Sequence, residues 1–156
     1  MQLYSKVTSF GCFVALDSLF ANSNLLCLHK NRKVHTKMVR NFICLFHALL
    51  TVVFIINYNL GRTDFNYSLM ANFSSGYFLF DSFYLLKYDT MTWISYVYIY
   101  HHFLTIYALI VGREYDVDKI LFWAELSNIP SYLVYHYIKM ENHEKVDYYK
   151  SIQKIT

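Results

Sequence analysis

Apolar residues run along this chain in blocks, with polar residues gathered between them. Five stretches are nearly free of charge: Ser9–His29, Asn41–Leu60, Ser68–Leu86, Thr92–Gly112 and Ile120–Ile138. Each is close to the roughly 20 residues that a helix needs to cross about 30 Å of hydrocarbon. The pattern predicts an all-α fold, a multi-pass transmembrane helix bundle of about five spans. Residues 1–140 form the transmembrane domain, and the polar stretch 141–156, "ENHEKVDYYKSIQKIT", is a cytosolic tail. A transmembrane barrel is excluded: its strands alternate and end in turn residues, whereas strict alternation is absent and the chain has four glycines and one proline. A soluble aromatic-rich helical bundle is the competing reading, disfavoured because only short charged segments separate the blocks.

Composition agrees with the pattern. Hydrophobic residues make up 56% of the chain and charged ones 16%, against about a quarter charged in soluble domains. The first block is interrupted by Asp17, Asn22 and Asn24. It lacks the basic start and small-residue cleavage site of a signal peptide, so it reads as a helix. Cys12, Cys27 and Cys44 are odd in number and widely spaced, which fits small apolar helix residues rather than a disulfide framework or metal ligands.

The net charge of +3 comes from cations beside the predicted spans, so membrane lipids and other membrane proteins are the expected partners, and nucleic acid is not. The segment "KNRKVHTKMVR" reads as a loop, and its Lys30, Arg32, Lys33, Lys37 and Arg40 place it in the cytosol by the positive-inside bias. Five alternating crossings then put Lys87 and the tail on the same side, with the N-terminus lumenal and the C-terminus cytosolic. The sequons at Asn66 and Asn72 fall on the lumenal side.

Three spans carry polar groups at mid-depth. In "SSGYFLFDSFYLL", Ser74, Phe78 and Asp81 share one helical face. In "YHHFLTIYALIVG", Thr105 lies four residues after His101 and three after His102. In "FWAELSNIPSYLVYH", Glu125 and Asn128 share a face, and Pro130 removes a backbone hydrogen bond near Leu126. A charged carboxylate at mid-bilayer costs at least a few kcal/mol, so Asp81 and Glu125 should face protein and find partners. Adjacent histidines point about 100° apart, so at most one meets a given partner. From pattern alone the polar groups serve equally well as interhelical hydrogen bonds or as the lining of a functional cavity. No metal site is expected, since the His pair cannot chelate one ion from a regular helix and no HExxH or Cys/His cluster exists. Neither a Gly-rich phosphate loop nor a G-x-S-x-G nucleophile elbow is present.

The order "GYFLFD", then "HHFLT", then "ELSNIP" resembles the TLC domain family, which includes the translocon-associated TRAM proteins, the ceramide synthases and smaller TLC-domain-containing proteins. His47 in "FHALLTVVF" adds a further match, and the resemblance is strongest over residues 39–135. Ile129 departs from the family pattern by standing between Asn128 and Pro130. The segment "REYDVDKILFWAELSN" is more similar to the branch that lacks synthase activity.

The resemblance implies one of two functions in an endoplasmic reticulum-type membrane. The first is a non-enzymatic protein that binds lipid or influences lipid composition or trafficking. In that reading His101, His102, Asp81 and Glu125 contact a headgroup or hold the helices together, with Thr105, Asn128 and Ser74 in support, and no cofactor is needed. The second is a ceramide-synthase-like acyltransferase with acyl-CoA as substrate. There His101 or His102 is the general base, oriented by Asp81.

Overall fold

The computed structural model describes residues 2–22, 32–61, 64–88, 91–111, 116–140 and 148–152. The described residues are helical almost throughout and include no strand. Five helices follow in order: α1 (Gln2–Asn22), α2 (Arg32–Gly61), α3 (Asp64–Tyr88), α4 (Trp93–Val111) and α5 (Val117–Lys139). One further helical turn covers residues 148–152, where Tyr149 stacks on Tyr137 with ring centroids 5.5 Å apart.

Two of the five helices, Val34–Gly61 and Trp93–Val111, are long and apolar enough to cross a membrane. The others reach comparable lengths of 21, 25 and 23 residues but carry more polar side chains. Much of that polarity is turned inward: Ser74, Ser75, Asp81 and Ser82 of α3 and Glu125 of α5 are all buried. The segment expected to be a basic loop is largely helix, because α2 begins at Arg32 and runs through Lys33, Lys37 and Arg40. Lys and Arg are good helix formers, so a hydropathy break need not be a helix break. Lys30 and Cys27 lie outside the described residues. Both sequons begin inside α3, and Ser74, which completes the second, is fully buried. Helix α5 continues through Pro130 without interruption.

The chain divides into two compact units. The first comprises Met1–Val14 and Phe54–Ile120, and α3 is its centre. Around Ser74–Phe78 α3 is buried on every side. Phe13 of α1 lies 5.2 Å from Phe73, 5.5 Å from Tyr77 and 6.0 Å from Phe80, ring centroid to ring centroid. Gly76 lets α1 come close: a Cβ there would collide with Ser9 Cβ and sit 2.8 Å from the Phe10 nitrogen. The second half of α2 turns back along α3 through Phe54–Phe73 and Tyr58–Tyr67 pairs at 5.3 and 5.6 Å.

Helix α4 packs on α3 in the opposite direction. The Tyr67 hydroxyl donates to the Leu109 carbonyl at 3.3 Å, and Ser82 meets His102. Only Ser95, His102 and Leu109 of α4 are buried, one every seven residues. The start of α4 is fixed by a reciprocal cap: the Ser95 N–H donates to Thr92 Oγ1 and the Thr92 N–H donates to Ser95 Oγ, both at 3.3 Å.

The second unit comprises Ala15–Val53 and Leu121–Thr156. Its α2 segment buries Val39, Ile43, His47 and Thr51 at four-residue spacing, with Cys44 and Ala48 alongside. Against this stripe α5 runs antiparallel: Asn41 Nδ2 donates to the Tyr132 carbonyl at 2.8 Å, while His47 meets Glu125. Phe20 of α1 packs edge-on against Phe42.

Candidate functional site

Among the described residues, each unit holds one buried histidine between a carboxylate and a hydroxyl. In the first unit, Asp81 and Ser82 are consecutive on α3 and His102 faces them from the middle of α4. His102 Nε2 lies 3.6 Å from Asp81 Oδ2, and Nδ1 lies 3.2 Å from Ser82 Oγ. The imidazole also rests against Phe78, with ring centroids 5.3 Å apart. His102 and Asp81 are 6% and 4% exposed. At that burial, protein groups are the expected source of their hydrogen bonds.

The Ser82 hydroxyl donates to the Phe78 carbonyl one turn earlier at 2.8 Å, so its oxygen stands between that carbonyl and the imidazole.

In the second unit the ring is used the other way round. His47 Nε2 lies 3.1 Å from Thr51 Oγ1, one turn along the same helix, and Nδ1 lies 3.6 Å from Glu125 Oε1 on α5. Asn128, one turn beyond Glu125, hydrogen-bonds its carboxyl group. His47 and Thr51 are completely buried, and Glu125 is 3% exposed.

The sequence-predicted residues therefore separate. Asp81 joins His102. Glu125 has His47 as its histidine neighbour, with Asn128 in support. His101 stands outside both sets, exposed on α4. Thr105 donates its hydroxyl to the His101 carbonyl at 2.9 Å, a local helix bond. Ser74 is fully buried on α3, one heptad before Asp81. The sequence reading missed Ser82 and Thr51 and noted His47 only through a family pattern. Two signals were available: Ser82 directly follows Asp81, and Thr51 lies four residues after His47 on the buried stripe. Among the described residues, no group of three or more His, Cys, Asp or Glu side chains is placed to hold a metal ion.

Compared with family models, curated proteins and solved structures, the chain matches none.

Proposed function

We propose that this chain is a multi-pass membrane protein of TLC type that binds membrane lipid and influences lipid composition or trafficking, without catalysis of its own. The observation that carries this reading is the surface of α4. Trp93, Ile94, Tyr96, Val97, Tyr100, Phe103, Leu104, Tyr107, Ile110 and Val111 are each about half exposed or more. They surround the helix apart from the narrow line that meets α3. Water would oppose such a surface, whereas acyl chains solvate it.

In this reading all five helices cross the membrane, α3 and α5 with their carboxylates turned to protein. The basic start of α2, with Lys37 and Arg40, lies at anionic cytosolic headgroups. The two histidine sets are internal hydrogen-bonding centres, because each imidazole is closed in by its own neighbours. An endoplasmic reticulum-type membrane and a lumenal N-terminus belong to the same proposal.

One observation favours acyl transfer as a second reading. His102 lies between the Asp81 carboxylate and the Ser82 hydroxyl; with Ser82 turned away, Nδ1 of a ring held by Asp81 would take the proton of an amine as it attacks a thioester carbonyl, releasing the thiol.

The test is to express the chain, extract its membranes with alkaline carbonate, purify it in mild detergent and identify retained lipids by mass spectrometry. A membrane-retained protein carrying a defined lipid class in both wild type and His102→Gln supports the proposal. Recovery in the soluble fraction overturns it. Amide formation from acyl-CoA and a long-chain amine, lost in His102→Gln, would replace it with the enzyme reading.

A further inference from the structure

We infer that α2 and α5 together hold the phosphate of an anionic phospholipid, between Arg40 and Lys139 and beside the Tyr135 hydroxyl. The inference rests on the membrane reading above and deepens it by assigning one lipid class to one site. All three residues belong to the second unit and are half-buried.

The site follows from how the two helices meet. They run antiparallel, and the bond from Asn41 Nδ2 to the Tyr132 carbonyl fixes their register. Tyr135 and Lys139 lie three and seven residues beyond Tyr132, which continues the α5 face that carries Glu125 and Asn128 toward α2. Arg40 precedes Asn41, so its backbone stands about level with Tyr132 or Leu133. Its charge nevertheless acts on the Tyr135 hydroxyl, nearer the end of α5. The long side chain thus reaches toward the cytosolic end of the helix pair, as arginines near a membrane surface do. From the other helix, the Lys139 ammonium lies 5.7 Å from the centre of the Tyr135 ring.

Charge and chemistry identify the ligand. Two cations from different helices converge on one tyrosine, and an anion between them turns their mutual repulsion into attraction. Helix α2 contains no Asp or Glu, and α5 contains none after Glu125, so neither helix supplies that anion beside Tyr135. Lys37, one turn before Arg40 and exposed, adds a third positive charge. The donors suit phosphate oxygens: Arg40 offers a planar fork, Lys139 a point charge and Tyr135 a single O–H. At the headgroup end of two spans, a lipid is the source of that phosphate.

The experiment uses the full chain in mild detergent, offered dioleoyl phosphatidic acid and dioleoyl phosphatidylcholine together, with bound lipid counted by native mass spectrometry. The wild type should prefer phosphatidic acid several-fold, a result that needs no substitution and so does not depend on any variant folding. Arg40→Gln combined with Lys139→Gln should weaken binding of phosphatidic acid roughly tenfold, and Tyr135→Phe about threefold. Lys87→Gln removes an exposed cation on the same side of the membrane but outside the site, and should leave binding unchanged.

Equal binding of the two lipids by the wild type overturns the inference, and is the result if Glu141 or Glu144 fills the site instead. A loss on Lys87→Gln as large as that of the double variant also overturns it, by showing diffuse attraction to surface charge. Displacement of phosphatidic acid by millimolar inorganic phosphate assigns the site to a free anion and overturns the lipid assignment. In each of these cases a protein that resists carbonate extraction keeps the membrane reading. Recovery of the chain in the soluble fraction removes that reading and the site with it.

Discussion

The His102 set and the His47 set use the same three kinds of group, yet they hold their helices differently. In the first, both groups that meet the imidazole come from α3, so α4 is tied to its neighbour at two atoms of one ring. In the second, Thr51 lies on the same helix as His47, and only Glu125 crosses to α5. The ring is also reversed, with the carboxylate at Nε2 in one and at Nδ1 in the other. In each set one ring nitrogen has a hydroxyl within hydrogen-bond distance and the other stands 3.6 Å from a carboxylate, and the two sets differ in which helix supplies the hydroxyl. A hydroxyl from the neighbouring helix adds register, while one from the same helix only completes the hydrogen bonding.

The strongest way to break this comparison is Asp81→Ala. It leaves a buried imidazole facing an empty site and should destabilise the first unit by about 3–5 kcal/mol, read by unfolding in detergent. Combining Asp81→Leu with His102→Leu should recover most of that loss, because an apolar pair leaves no buried group unsatisfied. A double variant as unstable as the sum of its singles would show that the two residues do not act as a pair.

Gly76→Ala should come next, at about 1–3 kcal/mol, by overpacking α1 on α3. Ser9→Gly should rescue it only in part, because two of the three close atoms around the added methyl belong to the α1 backbone. Full rescue would mean that α1 can slide.

Ser82→Ala and Thr51→Val address the comparison itself. Each removes a hydroxyl beside an imidazole, with an expected loss of about 1–2 kcal/mol. Only Ser82→Ala should loosen one helix from another, seen as faster hydrogen exchange along α4. Equal effects on neighbouring helices would erase the distinction between the two sets. The smallest expected effect is that of Asn41→Ala, about 1 kcal/mol, from loss of the bond to the Tyr132 carbonyl. That bond is a second tie between α2 and α5, doing for that pair what Ser82 does for α4.

Much of the secondary structure was legible because apolar blocks are long and breakers are few. The five helices overlap the five charge-poor stretches, but their ends differ where charge and helix boundary are separate matters. The first stretch was placed from Ser9, past Lys6, whereas α1 begins at Gln2. The second was placed from Asn41, past a basic cluster that is itself helical from Arg32. Helix ends follow backbone hydrogen bonding and capping, and a lysine can stand inside a helix at almost no cost.

The candidate site was legible in kind but not in pairing. Ionisable residues inside apolar blocks announce that they need partners, and so Asp81, Glu125 and the adjacent histidines stood out. Which histidine turns inward depends on the rotation of α4 about its axis, and one residue changes that by about 100°. The sequence by itself determined the all-helical class and the presence of buried polar groups, because local hydrophobicity and a shortage of breakers act along the chain. Tertiary structure alone decided that His102 meets Asp81 and Ser82, that Glu125 meets His47, and that His101 faces outward. Those outcomes depend on how helices distant in sequence rotate and slide against one another as they pack.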